Sequence, residues 1–305
     1  MNLLASEREQ LVENLLVGAI DLHCHSGPSV MPRSIDHLEI AREASKVGMK
    51  ALLFKDHYYS VTPVTQLLMK HFQDLNVELL SGIPLNNTSG GFNRYAVDHG
   101  IKLGANLVWM PTFSAANHIR AHQKEKDFEK KFPTTKEKML EPTPLSILDD
   151  RENLLNEVKF ILDLIAENDL VLSSGHLHIS EIWILFDEAI KRGVKRLLCN
   201  HPTYIVGASY EDITELAKLG CYIEHSMCMF VEKSKYKFYS PEELDQMIKA
   251  AGIDKTILGS DLGQVGNPSP VDGFRGVINM CLDLGYTKED IHQLVSINAA
   301  NLMKI

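Results

Sequence analysis

Apolar residues follow two rhythms that take turns along the chain. A short, nearly continuous apolar run is followed by a segment whose apolar positions recur at helical spacing, and this unit recurs eight times. The runs predict strands at AIDLHCH (19–25), ALLFKDH (51–57), VELLSGI (77–83), ANLVWMP (105–111), LVLSSGH (170–176), RLLCNHP (196–202), CYIEHSM (221–227) and TILGSDL (256–262). The helices between them have legible ends. Ser34 and Asp36 precede IDHLEIAREASKV, which stops at Gly48; Thr62 with Pro63 opens another; Ser240, Pro241 and Glu243 form a capping box whose helix stops at Gly252. Strict alternation predicts a parallel sheet, and eight units closing on themselves predict an α/β fold, a (β/α)8 TIM barrel, as a single domain over residues 1–305.

Two segments exceed the minimal barrel. A helix over 3–17 reads as a cover for the barrel's base, and residues 113–150 read as an insertion after strand four. The middle of that insertion, RAHQKEKDFEKKFPTTKEK, interleaves both signs of charge, which favours a solvated helical excursion over a polyanion site. Loops after strands form the active face of this architecture, so a lid role stays open for it.

Composition narrows the function. With 45% hydrophobic and 23% charged residues the chain can bury a core, and its formal charge of -9 gives no footprint for nucleic acid or anionic lipid. A small-molecule substrate is the expected partner, with no nucleic acid and no membrane; self-association into a homo-oligomer is left open. No apolar run approaches the roughly 18 residues of a membrane span, and acids interrupt the N-terminal stretch, which predicts a cytoplasmic protein. The five cysteines are scattered without CxxC spacing, so neither a disulfide framework nor a thiolate zinc site is indicated.

Histidines gather at the C-terminal ends of the predicted strands. His23 and His25 end strand one, His57 strand two, His176 strand five and His201 strand six, and Asp261 ends strand eight. Side-chain alternation puts His23 and His25 on the inward face with Asp21, groups Lys55 with His57, and sets Cys199 below His201. A closed barrel brings these ends to one mouth, where several imidazoles and a carboxylate make a metal site. His37, His71, His99 and His292 fall in helices, where packing or simple exposure accounts for them.

DLHCH, GHLH, CNHP and LGSDLG, in that order on successive strands, with the closing SINAANLMKI, resemble the amidohydrolase superfamily of metal-dependent hydrolases. The resemblance implies one or two divalent ions at the barrel mouth, usually Zn²⁺, and hydrolysis by a metal-bound hydroxide. Carried over by position, His23, His25 and Asp261 hold the more buried ion, and His176 and His201 hold the second. Histidine and carboxylate ligands also suit Mn²⁺ or Fe²⁺. Asp261 ligates through one oxygen and handles the water's proton through the other, and His201 joins it as the second catalytic residue.

One departure stands out. Members with two metals bridge them by a carbamylated lysine or a glutamate at strand four, whereas LVWMPT offers neither and strand two ends FKDH. An ammonium at Lys55 facing dications would be repelled by several kcal/mol at an effective dielectric of about 20, and carbamylation would reverse its sign and make it a ligand. The alternative is an unmodified Lys55 that binds an anionic substrate group beside a single metal.

Substrate contacts are read from loop position: Asn86 and Arg94 in PLNNTSGGFNRY, Arg33 after HSGPSVMP as a partner for a carboxylate, and His57 and His178, with Tyr204, Glu224 and His225 similarly placed. No GxGxxG or P-loop pattern is present. The expected activity is metal-dependent hydrolysis of a small amide, ester, lactone or phosphoester. The alternatives are a metal-dependent decarboxylase or hydratase of the same superfamily, or a barrel that binds metal without turnover.

Overall fold

A computed structural model describes residues 5–123, 135 and 137–305. Its eight strands are β1 (Ile20–Cys24), β2 (Ala51–Phe54), β3 (Glu78–Pro84), β4 (Leu107–Trp109), β5 (Val171–Ser173), β6 (Arg196–Asn200), β7 (Tyr222–Ser226) and β8 (Thr256–Gly259). Each pairs in parallel with the next in chain order. Beyond the regular strands the ring closes through a parallel bridge between Cys24 and Leu262. The fold is the single-domain (β/α)8 barrel that the alternation predicts.

The helices, in chain order, are α1 (Ala5–Leu16), α2 (His37–Lys46), α3 (Thr62–His71), α4 (Arg94–Lys102), α5 (Ala116–Gln123), α6 (Asn156–Glu167), α7 (Ile179–Lys191), α8 (Tyr210–Lys218), α9 (Pro241–Ala251), α10 (Pro270–Asp283), α11 (Lys288–His292) and α12 (Asn298–Met303). The expected capping box opens α9: the Glu243 N–H donates to Ser240 Oγ at 3.2 Å, and the Ser240 N–H to Glu243 Oε2 at 2.7 Å. Asp36 and Glu39 do the same for α2, at 2.7 and 2.9 Å. Each cap satisfies amide donors that the helix itself cannot, a contribution of about 1 kcal/mol.

Alternation sorts the strand residues into two cores. Leu53, Leu107, Trp109, Val171, Leu198 and Ile257 fill the barrel interior, while Leu52, Phe54, Val108, Leu172, Cys199 and Ile223 face the helices. Ala299, Leu302 and Met303 of α12 belong to the interior core, so the C-terminal helix plugs the base. Asn298 fastens it, its Nδ2 donating to the carbonyls of Ile253 and Thr256 at 2.6 Å each. That corrects the expectation for the N-terminal helix. Its described part, α1, lies against α10 instead, through Arg8 to Asn279 (2.8 Å) and Arg275 to Glu13 (2.6 Å).

Two details of the side-chain count also need correcting. A register shift between Asp21 and Cys24 breaks the alternation of β1, so Leu22 joins the interior core and Asp21 turns to the β1–β8 seam. There its Oδ1 accepts the N–H groups of Ser260 and His23, both at 2.9 Å. At the other break His201 has a left-handed backbone (φ 30°), which re-aims its side chain and leaves Cys199 in the outer core rather than below it.

Of the insertion after β4, α5 and the return through a Ala115–Leu145 bridge are described. Residues 124–134 and 136, within the charged stretch expected to form a helical excursion or lid, lie outside the described residues, as do residues 1–4 of the predicted first helix. All five cysteines are buried and free. No helix among the described residues is long and apolar enough to cross a membrane.

The seam gives a stability test. Gly263 has φ 117°, and a Cβ on it would lie 1.6 Å from the His25 carbonyl oxygen; Gly193 has φ 92° with nothing within 4 Å. Gly193→Ala carries backbone strain alone, about 1 kcal/mol, whereas Gly263→Ala must also push the seam apart and should cost about 3 kcal/mol or more in urea unfolding. Equal losses in the two variants would mean that the seam yields freely.

Candidate metal centre

Main-chain hydrogen bonds across the seam set the site. The Asp261 N–H donates to the His23 carbonyl at 2.7 Å, and the His25 N–H donates to the Leu262 carbonyl at 2.9 Å. Asp261 takes a left-handed backbone (φ 50°), which turns its carboxylate over the mouth. The outcome is a tight triad: Asp261 Oδ1 lies 3.2 Å from His23 Nε2 and 3.1 Å from His25 Nε2. Among the described residues these three form the one cluster of histidine, cysteine and acidic groups close enough to hold a metal ion.

The chemistry of the donor set fits a cation. His25 Nδ1 lies 2.9 Å from the Lys55 carbonyl, an acceptor, so that nitrogen carries the proton and Nε2 presents its lone pair. His23 Nδ1 lies 2.6 Å from Glu224 Oε1, and the same reasoning leaves its Nε2 free of a proton. Two imidazole lone pairs thus face one carboxylate oxygen, an arrangement of acceptors that repel one another unless a positive charge lies between them. The nearest such charge is Lys55, whose Nζ lies 2.8 Å from His23 Nε2.

Electrostatics keep His25 neutral and both carboxyls ionised. Burial and the Arg33 charge push His25 down to about 3. Burial alone would raise the Asp261 and Glu224 carboxyls, but His23 and its neighbours outweigh it and hold both below the usual range, Asp261 far below. Burial lowers the Lys55 ammonium, opposed by Asp261 and Glu224. Asp261 keeps 16% of its side chain open, against 0% for Glu224, so it is the acid a molecule in the cleft can reach.

The cleft brings together most of the expected residues: His23, His25, Lys55, His57, His176, His201, Asp261 and Arg33 all line it. The His201 ring is 6.0 Å from that of His23 and 5.0 Å from that of His176. His57 stacks on Phe113 at 3.7 Å and lies 5.1 Å from His25. His25, His57, His176, His201 and Asp261 all sit one to three residues past their strands, where the backbone is free to re-aim them.

Of the residues expected to meet substrate, Asn86, Arg94, His178, Glu224 and His225 are not part of the cleft wall. Asn86 stands behind it, donating to the His57 carbonyl (2.8 Å) and Thr112 Oγ1 (2.7 Å) and accepting from the Thr112 and Ser114 N–H groups. The Arg94 guanidinium covers the rings of Tyr95 and Phe160. His178 is exposed and caps α7.

Sequence reasoning missed His118 and His122, and it offered Glu224 as a substrate contact where the structure sets it behind His23. Glu224 occupies an inward position of β7 and holds His23, a role that strand parity in CYIEHSM could have supplied. His118 and His122 come from α5 in the insertion and also line the cleft. His118 Nδ1 lies 2.7 Å from His176 Nδ1. Their i, i+4 spacing was the available signal.

Burial depresses eight imidazoles: His25 to about 3, His37, His122, His201 and His225 to about 4, and His57, His118 and His176 well below their ordinary 6.5. The unfolded chain protonates these groups near 6.5 and the native state does not, so stability present above that pH is lost as pH falls toward 4. Asp21, raised to about 6 by burial, works in the opposite direction, one group against eight. The metal-stripped chain should therefore lose thermal stability steeply between pH 6.5 and 4, with unfolding taking up several protons. A flat profile would contradict neutral imidazoles.

No curated protein matches the sequence. Among solved structures the chain is similar to an amidohydrolase from Pseudomonas aeruginosa (12% identity, 97% of this chain and 98% of that one, TM-score 0.64). It is also similar to the probable dipeptidase PvdM from Pseudomonas aeruginosa (10%, 98% and 98%, 0.66) and to 2,6-dihydroxybenzoate decarboxylase from Rhizobium (11%, 94% and 99%, 0.53). At these identities the likeness is one of fold, and it is the barrel that the eightfold alternation of strand and helix predicts. Residues 18–224, most of the chain and all of the proposed ligands except Asp261, match the Family of unknown function (DUF6282), and the chain belongs to that family.

Proposed function

We propose that the chain is a metal-dependent hydrolase of a small amide, ester, lactone or phosphoester. The observation that carries this reading is the convergence of two imidazole lone pairs and an ionised carboxylate at the mouth of the barrel. His23, His25 and Asp261 would hold one divalent ion, with Lys55 beside them, and His176 with His201 would hold a second or face the substrate. Such an ion lowers the pKa of a water it binds to about 7 and polarises a carbonyl or phosphoryl oxygen.

The protein's own groups then have separable tasks. Glu224 fixes the proton of His23 on Nδ1, so Nε2 stays turned to the seat. The Lys55 carbonyl does the same for His25. Asp261 is ionised at neutral pH and open to the cleft, so it can take the proton of the attacking water and return it to the leaving group. His201 lines the cleft with its Nδ1 unpaired among the described residues, which suits it to meet the substrate or a second ion. Phe113, Met31 and Ile205 supply apolar wall that limits access of other water.

Elemental analysis after expression with zinc and manganese should find bound divalent metal, and Asp261→Asn should lower turnover about 100- to 10,000-fold with little change in KM. The assay is the best-cleaved member of an amide, ester, lactone and phosphoester panel. Absence of metal uptake on titration would end this reading. Carbon dioxide release without hydrolysis would favour decarboxylation, the chemistry named for one of the fold's relatives.

Lys55 supplies a second check. With Nζ 2.8 Å from His23 Nε2, its ammonium competes with any ion for the same lone pair, and carbamylation by carbon dioxide turns a competitor into a ligand. Zinc uptake by the stripped chain should then rise with added bicarbonate, and Lys55→Ala should bind less zinc and ignore bicarbonate. Full zinc occupancy in Lys55→Ala would remove Lys55 from the ligand set.

A further inference from the structure

Arg33 is a buried cation with poor partners. Its side chain is 3% exposed, yet it lines the cleft with His25 and Asp261. One terminal nitrogen, Nη2, reaches Asp56 Oδ2 only at 3.5 Å, Nη1 faces the Met31 sulfur at 3.8 Å, and Nε has no hydrogen-bond partner among the described residues. Asp56 is also committed elsewhere, since its Oδ1 accepts the Tyr58 N–H at 2.8 Å. A guanidinium has five donors in a planar fork, and a buried one left this incomplete is costly until an anion completes it.

The backbone holds that fork in register with the metal triad. Arg33 bridges Gln264 in antiparallel fashion, and the Ser34 N–H donates to the Gly263 carbonyl at 2.9 Å, on the loop that carries Asp261. An anion on Arg33 therefore sits at a fixed offset from Asp261, with no need to order a loop on binding. The other cleft cation, Lys55, is engaged with His23. Around them the wall is apolar and aromatic: Phe113 over His57, Tyr204 stacked on Phe238 at 5.1 Å, Met31, Met229 and Ile205.

We propose that the substrate is a carboxylate-bearing compound with an aromatic or apolar body, its carboxylate received by Arg33 and its scissile bond directed at the triad. A planar carboxylate matches the fork in two parallel hydrogen bonds, and as a monoanion it loses less hydration than a phosphate dianion on entering such walls. The proposal rests on the hydrolase reading for which end of the molecule reacts, but Arg33 itself recognises the carboxylate without a metal.

The test uses 3-phenylpropanoate and its neutral amide, titrated calorimetrically into zinc-loaded and chelator-stripped chain. The carboxylate should bind at least tenfold tighter than the amide in both forms. Arg33→Gln should bring its affinity down to that of the amide while leaving amide binding unchanged, and Arg33→Lys should retain part of the preference. Equal binding of the two probes by wild type overturns the proposal, and so does a preference that survives Arg33→Gln. If Arg33→Gln fails to fold, the wild-type ratio and Arg33→Lys decide. Zinc uptake with a preference independent of Arg33 would sink this subsite and leave the hydrolase reading standing; an Arg33-dependent preference in a chain that takes up no zinc would do the reverse.

Discussion

The β1–β8 seam is the constraint on which the rest of the molecule depends. Seven of the strand pairs are parallel ladders, unbroken except between β1 and β2, but the ring is closed by irregular backbone, through the His25 N–H to Leu262 and the Asp261 N–H to His23. That closure requires left-handed φ at Asp261 and a glycine at 263 that lets the chain pass against the His25 carbonyl. Such backbone costs about 1–3 kcal/mol per residue, and here the surrounding ladder and the Asp21 hydrogen bonds to Ser260 and His23 hold it. The return on that strain is geometric. Residues more than two hundred positions apart in sequence have their ligand atoms about 3 Å apart.

What the sequence made legible is whatever depends on period and order. Eight alternations specify the barrel, and His23, His25, Lys55, His57, His176, His201 and Asp261 meet in one cleft because strand ends must meet there. What it concealed depends on breaks in period. A register shift in β1 removes Asp21 from the inward face, and a positive φ at His201 separates it from Cys199; neither leaves a mark on the hydrophobic pattern. His118 and His122 escaped because an insertion has no strand-end rule to place it. Arg94 and His178 were assigned by loop position alone, and each has a local occupation instead, an aromatic surface for one and a helix cap for the other.

The cleft's many histidines also have a common logic. Burial keeps His25, His57, His118, His122, His176 and His201 neutral, so they supply lone pairs at small desolvation cost, whereas the same number of carboxylates would repel one another in that volume. Charge is confined to a few groups: Asp261 and Glu224 on one side, Lys55 and Arg33 on the other. Glu224 is fully buried behind His23, so it strengthens that imidazole as a donor without competing for the seat.

That division makes Lys55 the group on which the electrostatics of the seat turn. As an ammonium it balances one of the two carboxylates and occupies the lone pair of His23, leaving the seat near neutrality and already satisfied. Converted to an anion, it would leave three negative groups around His23 and His25, a field that favours a dication. Arg33 would keep its charge in either state, because its guanidinium stays protonated wherever it is placed. The two cations of the cleft therefore differ in kind: one can reverse its sign with the chemistry of the site, and the other is a fixed positive reference for whatever anion enters.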